Sequence, residues 1–156
     1  MGNVYTFTLQ VPVNYDLGWV EMVRNLGKKI SMGLHVASIG DRFPTEKTGV
    51  IVEDLTVVNF DEYESLMSIQ IYAQKHEILP AHPRVLFAIA EHYPMLSYKR
   101  GLPHMEFISP CICKIEHSER VLVLWCDEDG RCSINLSLKP GRFPADRWFV
   151  FSGSKP

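Results

Sequence analysis

The sequence has no long apolar segment and no strong charge of either sign. Its longest uninterrupted apolar runs, from Val121 to Cys126 and from Val85 to Ala90, are far shorter than the roughly 20 residues that a membrane-spanning helix needs. The formal net charge of −2 is too small to indicate a nucleic acid as partner, or a mimic of one. The N-terminus lacks a basic start followed by an apolar core, so we expect no signal peptide. These absences predict a cytoplasmic protein that binds neither membranes nor nucleic acids.

The motifs that mark common catalytic and cofactor sites are also missing. No serine lies in a G-x-S-x-G turn, no glycine-rich loop leads from a strand into a helix, and no H-E-x-x-H pair is present. The six histidines lack the i, i+4 repeat that would place two metal ligands on one helical face. Acidic clusters fall at a predicted strand break, a helix start and a turn, where each has a structural explanation. We therefore expect no cofactor and favour a protein that is not an enzyme.

Four cysteines are present, and the sequence leaves two interpretations of them open. Cys111 and Cys113 share one face of a predicted strand, while Cys126 and Cys132 would lie opposite each other on a hairpin. Four converging thiolates could bind zinc, although their spacing differs from the C-x2-C pairs of zinc knuckles. Because free cysteine also behaves as a small buried hydrophobe, we favour core thiols and no metal, with a zinc-stabilised module as an alternative.

The best-defined element is a hairpin from Arg120 to Leu138. Its first limb, residues 121–126, is apolar on both faces, which is typical of a strand in the middle of a covered sheet. The second limb alternates between one apolar and one polar face. Between the limbs, Gly130 can adopt the left-handed conformation that a short hairpin loop needs.

The rest of the chain predicts an α+β fold. Alternation indicates a strand over residues 5–13, in which Pro12 suits a strand end or a sheet edge. Helical spacing predicts three helices, the first after Asp16, the second capped by Asn59 and the third beginning at Pro83. Further strands are expected over residues 34–39, 50–52, 55–58, 107–115 and 148–151.

The element order β-α-β-β-α-α-β-β-β-β ends in hairpin-length links and lacks the alternating crossovers of a parallel fold. We predict one mostly antiparallel sheet with three helices packed on one face. The whole chain, residues 1–156, would form a single globular domain with a short flexible C-terminal tail at 152–156.

Two segments repeat the order Arg-Phe-Pro after a predicted strand, at residues 42–44 and 142–144. The simpler interpretation is a pair of similar turns with each ring tucked against the sheet. The alternative is a pair of loops that present an arginine and a ring to an anion or a protein, strengthened by Arg147 beside the second copy. Residues 98–100 join an aromatic side chain to two cations in a predicted loop, which could contact a nucleic-acid backbone, although a solvated loop is the simpler interpretation. The candidate partner-binding residues are Arg42, Phe43, Tyr98, Lys99, Arg100, Arg142, Phe143 and Arg147.

The absence of catalytic signatures favours a non-enzymatic protein-binding factor, such as a toxin-neutralising immunity protein or a phage-encoded inhibitor. The competing hypothesis is a small-molecule-binding or enzymatic domain with a pocket between sheet and helices, lined by Trp19, Tyr63, Tyr72 and Trp125. The sequence specifies neither the partner protein nor the oligomeric state.

Overall fold

A computed structural model describes residues 3–153. These residues form nine strands, four α-helices and one 3-10 helix at Val36–Arg42. The strands are β1 (Tyr5–Asn14), β2 (Ser31–Met32), β3 (Val50–Asn59), β4 (Leu79–Pro80), β5 (His104–Ile108), β6 (Cys113–Ile115), β7 (Ser118–Asp127), β8 (Cys132–Leu138) and β9 (Arg147–Ser152). The α-helices are α1 (Trp19–Leu26), α2 (Leu66–Lys75), α3 (Arg84–His92) and α4 (Leu96–Lys99).

The nine strands of the described chain belong to one mixed, mostly antiparallel sheet, which confirms the predicted α+β class. Their order is β1-β3-β9-β5-β7-β8-β2, with β4 added to β9 and β6 added to β7. The pairs β5–β9 and β2–β8 are parallel. β1 pairs with β3 from Tyr5↔Asn59 to Asn14↔Val50 and forms one edge of the sheet. Pro12 therefore lies in an edge strand, as its missing N–H predicts.

Apolar side chains pack against both faces of the sheet. On one face α1, α3 and the 3-10 helix form a core with Leu122 and Leu124 of β7. On the other face Ile69 of α2 packs with Phe149 and Phe151 of β9. The expectation that all helices lie on one face is therefore wrong. Because the central strands are apolar on both sides, each side needs its own cover.

The predicted hairpin is formed by β7 and β8. The two strands pair in register from Arg120↔Leu138 to Cys126↔Cys132. Gly130 has the expected positive φ, at 80°. β7 lies between β5 and β8, which agrees with its two apolar faces.

Residues 34–39, predicted as a strand, instead lead into the 3-10 helix. Val36 and Ile39 are three residues apart, so one face of this helix buries both side chains. The indole N–H of Trp19 donates to the Val36 carbonyl at 2.8 Å and fixes the helix against α1. Packing against a neighbouring helix, rather than the local pattern, decides the structure of this segment.

The two short strands predicted at 50–52 and 55–58 are one continuous strand, β3. No break occurs at Glu53, because its buried carboxylate has two partners. It accepts a hydrogen bond from the Tyr15 hydroxyl at 2.7 Å and pairs with the Lys47 ammonium group at 2.6 Å. An acidic residue with such partners is compatible with a half-buried strand.

The second predicted helix begins later than expected. Asn59 is the last residue of β3 and not a helix cap, because α2 begins only at Leu66. Its side-chain oxygen accepts the Asp61 N–H at 3.1 Å, and its side-chain N–H groups donate to the carbonyls of Ala145 and Arg147, each at 2.9 Å. Ser65 caps α2 instead, and its hydroxyl accepts the N–H of Ser68 at 3.2 Å. The first helix also begins later, at Trp19, with Gly18 and not Asp16 as its N-cap.

Two further boundaries differ from the prediction. The strand expected over 107–115 is divided into β5 and β6, and between them the Ser109 hydroxyl donates to the Ala81 carbonyl at 2.8 Å. Of the predicted tail at 152–156, Ser152 is the last residue of β9, and residues 154–156 lie outside the described chain.

Within residues 3–153, no helix is both long enough and apolar enough to cross a membrane.

Candidate functional site

A cleft of about 520 Å³ lies at the end of the sheet where β1, β5 and β9 begin and β3 ends. Its volume falls within the range that is typical of ligand pockets. Tyr5 and Trp148 contribute aromatic surface to its lining. Its charged or titratable lining residues are Asp61, Arg100, His104 and Asp146. The cleft therefore joins apolar walls to a small number of polar groups, which is the usual composition of a binding site.

Arg100 is the most distinctive residue of this cleft. Its guanidinium carbon lies 3.9 Å from the centre of the Phe7 ring and 5.7 Å from the centre of the Trp148 ring. Exposed cation–π contacts of this kind contribute about 0.5–1 kcal/mol each. Among residues 3–153, no carboxylate lies within ion-pair distance of Arg100. The side chain is thus an oriented cation whose charge is not neutralised by a neighbour.

The end of α4 positions Arg100. The backbone N–H of Arg100 donates to the Leu96 carbonyl at 3.0 Å, so Arg100 forms the C-cap of that helix. Gly101 follows with a φ of 70°, a conformation that glycine adopts without strain and that commonly ends helices. The buried Ser97 hydroxyl then donates to the Leu102 carbonyl at 2.7 Å and holds the turn. These hydrogen bonds at the C-terminal end of α4 therefore fix the position of the Arg100 backbone beside the cleft.

A second arginine beside the cleft, Arg147, is neutralised. Its Nε atom lies 2.7 Å from a Glu106 carboxylate oxygen, and its Nη1 atom lies 2.6 Å from Asp146. The other Asp146 oxygen is 4.0 Å from Nε2 of His104. Asp146 thus links two positive or titratable side chains, and Arg147 has no unpaired charge to offer a ligand.

The structure does not bring the sequence-predicted site residues together. Phe43 and Phe143 are both buried, in the cores on opposite faces of the sheet. Each Arg-Phe-Pro segment therefore presents its arginine and not its ring. Arg42 and Arg142 are exposed, and Arg42 donates to the Lys114 carbonyl at 2.6 Å.

Three of the predicted residues are consecutive in the chain and exposed. Tyr98, Lys99 and Arg100 are all exposed at the end of α4, and Arg100 lines the cleft. Whether these residues bind a partner stays a prediction, and the geometry gives Arg100 the central place among them.

The aromatic residues proposed to line an alternative pocket lie in separate places. Trp19 fills the core on one face, where its ring packs against Phe87. Tyr72 packs on the opposite face, and Tyr63 is 60% exposed. Trp125 lies beside His104 near the cleft. These four side chains do not form one pocket between sheet and helices.

The four cysteines do not converge on one site. Among residues 3–153, no group of three or more His, Cys, Asp or Glu side chains could hold a metal ion. Cys126 and Cys132 alone are neighbours, with their sulfur atoms 2.6 Å apart. The hydrogen bond between them raises the pKa of Cys126 and lowers that of Cys132, while burial raises the pKa of Cys111 and Cys113.

The sequence analysis did not predict that the Phe7 and Trp148 rings lie beneath the Arg100 guanidinium group. Phe7 is recognisable as an inward residue of the first strand, and Trp148 as part of the last strand. Nothing in the linear sequence connects these two rings with an arginine at position 100. Their juxtaposition follows from the strand order, in which only β3 separates β1 from β9.

Comparison of the chain with protein-family models, with curated proteins and with solved structures found no significant match. The function is therefore inferred from the cleft and its surroundings.

Proposed function

We propose that this protein is a non-enzymatic protein-binding factor whose contact surface is centred on Arg100. The observation that carries the proposal is the guanidinium group held on Phe7 and Trp148 without a carboxylate partner among residues 3–153. A guanidinium group can bind a carboxylate through two parallel hydrogen bonds. Because the two rings already restrict the side chain, a partner loses less entropy in ordering it.

Exposed rings and cations in the cleft and at the end of α4 support a protein as the partner. Tyr5 is 48% exposed and Tyr98 is 65% exposed. Tyrosine, tryptophan and arginine are the residue types most enriched among the energetically dominant residues of protein interfaces. Lys99 adds a second exposed positive charge. This combination of rings and cations favours an acidic segment of a partner protein.

Within this class we favour a cytoplasmic inhibitor, such as a toxin-neutralising immunity protein or a phage-encoded inhibitor. The absence of a recognisable catalytic motif in the sequence supports that choice. Arg42 and Arg142 stay secondary candidates, because both are exposed, Arg42 at the end of the 3-10 helix and Arg142 on a loop. Arg147 is a weaker candidate, since Glu106 and Asp146 already bind its guanidinium group.

Peptide selection followed by an arginine substitution tests the proposal. A displayed library of random peptides would supply ligands, and fluorescence anisotropy would measure their dissociation constants. We expect Arg100→Ala to weaken binding of the selected acidic peptides about 30-fold, because truncating a dominant interface residue costs about 2 kcal/mol or more. Arg24→Ala is the matched control, since Arg24 is an exposed arginine of α1.

Peptides that bind equally well to the Arg100→Ala variant would contradict the proposal. The cleft volume of about 520 Å³ supports a second candidate function, the binding of a small anionic ligand. Selection of no peptide, together with Arg100-dependent binding of small aromatic carboxylates in ligand-observed NMR, would favour that second function.

A further inference from the structure

The pairing of β1 with β3 determines which backbone groups of β1 face away from the sheet. The Tyr15 N–H donates to the Gly49 carbonyl at 2.9 Å, and the same register continues through Asn14↔Val50 along the whole of β1. Antiparallel pairs alternate between hydrogen-bonded and non-hydrogen-bonded positions. The odd-numbered residues of β1 therefore bond to β3. The even-numbered residues, from Thr6 to Asn14, direct their N–H and C=O groups outward.

One half of this outward edge is blocked. The Asn14 carbonyl accepts a hydrogen bond from Arg84 at 3.2 Å, and the Gln10 carbonyl accepts one from the Tyr93 hydroxyl at 2.8 Å. Between them, Pro12 has no N–H to offer. Proteins commonly protect an edge strand with proline and covering side chains, because an unprotected edge pairs with other chains.

The other half of the edge is open. Thr6 and Thr8 are exposed, and no helix, loop or side chain of residues 3–153 binds their backbone groups. A shallow groove of about 320 Å³ runs along residues 8–10 and the adjoining part of β3. Outward N–H and C=O groups at alternate residues are a template for an added strand. The contrast between the two halves indicates that residues 6–8 are left available for binding.

We propose that the partner adds an extended segment to β1 along Thr6–Thr8 and places an acidic side chain opposite Phe7, where Arg100 binds it. This inference rests on the proposed function and specifies its geometry. In an added strand, the residue opposite Phe7 directs its side chain to the same face of the sheet as the Phe7 ring. Directly opposed Cβ atoms lie about 4.5–5.5 Å apart. Since the Arg100 guanidinium lies 3.9 Å from that ring, an aspartate or glutamate at this position reaches it.

Charge complementarity indicates a different protein and not a second copy of this chain. A twofold-related β1–β1 pair would place β1 residues opposite Phe7. β1, from Tyr5 to Asn14, contains no acidic residue. Such a pair would leave both Arg100 side chains without a carboxylate, whereas an acidic partner segment supplies one.

A proline substitution on the open edge tests the added strand. Thr8→Pro removes the outward N–H, and Pro12 shows that β1 accommodates proline at an outward position. Thr8→Val keeps that N–H and removes only the hydroxyl. For those selected peptides whose binding requires Arg100, we expect Thr8→Pro to weaken binding about tenfold, because a peptide carbonyl loses the Thr8 N–H as its hydrogen-bond donor. Thr8→Val should change the dissociation constant less than about twofold.

A second measurement changes the backbone of the bound peptide and leaves the protein sequence unchanged. Replacing single amide bonds of a selected peptide by esters removes one N–H at a time. We expect alternate ester positions to weaken binding, because a strand directs every second N–H toward its neighbour. This periodicity keeps the inference testable if Thr8→Pro lowers the stability of the protein.

The possible outcomes separate the two proposals. Peptides that require Arg100 but tolerate both Thr8→Pro and every ester would overturn the added strand and leave the proposed function standing. Peptides that do not require Arg100, or a selection that yields none, would overturn both. A dimer detected by light scattering and lost in Thr8→Pro would assign the open edge to a second copy and also overturn the inference.

Discussion

At the residue scale, His82 connects a loop to the start of α3. Its Nε2 atom lies 2.8 Å from the Phe43 carbonyl, and its Nδ1 atom accepts the Arg84 N–H at 3.1 Å. These partners require a neutral ring that carries its proton on Nε2. Burial lowers the pKa of His82, and this effect outweighs the opposite effect of the hydrogen bond to Phe43. His82 thereby helps to hold one of the two Arg-Phe-Pro segments against the core.

We expect the free energy of unfolding to fall as the pH is lowered below about 6.5, the ordinary pKa of histidine. The unfolded chain then binds a proton at His82 that the folded chain binds only at lower pH, so acid favours unfolding. Above that pH range His82 is neutral in both the folded and the unfolded chain, so its effect on the free energy of unfolding no longer changes with pH. His82→Gln should flatten the profile, whereas His92→Gln, at an exposed position, should not. Urea unfolding between about pH 7.5 and pH 5 measures both slopes. A His82→Gln profile parallel to that of the wild type would refute this expectation.

At the scale of single elements, the β7–β8 hairpin holds two thiols at its tip. The Asp127 N–H donates to the Arg131 carbonyl at 2.9 Å, which makes the next pair, Cys126 and Cys132, a non-hydrogen-bonded pair. The Cα atoms of such pairs lie about 4.5 Å apart, within the range that a disulfide spans. Because the thiols are already neighbours in the folded hairpin, linking them requires little movement of the backbone.

Oxidised glutathione should convert this pair into a disulfide. The two thiols lose two protons and two electrons, and one glutathione disulfide is reduced to two glutathione molecules. Mass spectrometry after alkylation would show a link between Cys126 and Cys132 in the wild type and in Cys111→Ser. Cys132→Ser should form no intramolecular link. A disulfide between Cys111 and Cys113 instead, or no disulfide at all, would contradict the prediction that Cys126 and Cys132 are linked.

At the scale of the whole molecule, one sheet separates two cores. Phe43 packs with α1 and α3 on one face, and Phe143 packs with α2 on the other. Their main-chain surroundings differ as well, since Phe43 lies next to the 3-10 helix while Phe143 bridges to Glu64. The similarity of the two Arg-Phe-Pro segments therefore reflects a shared way of anchoring a loop and not a shared location.

Phe43→Leu and Phe143→Leu should each lower the free energy of unfolding by about 1–2 kcal/mol, because each removes buried apolar volume. Since the sheet keeps the two rings apart, the double variant should lose the sum of the two values to within about 0.5 kcal/mol. Both cores share the same strands, so unfolding should remain a single transition in circular dichroism and in tryptophan fluorescence. Two separate transitions would contradict this description of the fold.

The candidate site was only partly predictable. The exposed run Tyr98-Lys99-Arg100 is visible in the sequence, because a short aromatic and basic segment marks a potential contact surface. The rings beneath Arg100 were not predictable, because Phe7 and Trp148 reach it from distant parts of the chain. The open half of the β1 edge was equally inaccessible, since it depends on Arg84 and Tyr93 covering only residues 10–14.

The sequence by itself determined the α+β class, the edge position of Pro12 and the β7–β8 hairpin, because alternation and turn chemistry are local properties of a strand. The tertiary structure alone decided that residues 36–42 form a 3-10 helix, that Glu53 stays within a continuous strand and that helices cover both faces. In each of these cases a contact from elsewhere in the chain, such as Trp19 on Val36 or Tyr15 on Glu53, outweighs the local preference. The strand order likewise decided which residues meet at Arg100, because pairing between distant strands follows from the packing of the whole sheet and leaves no periodic signal in the sequence.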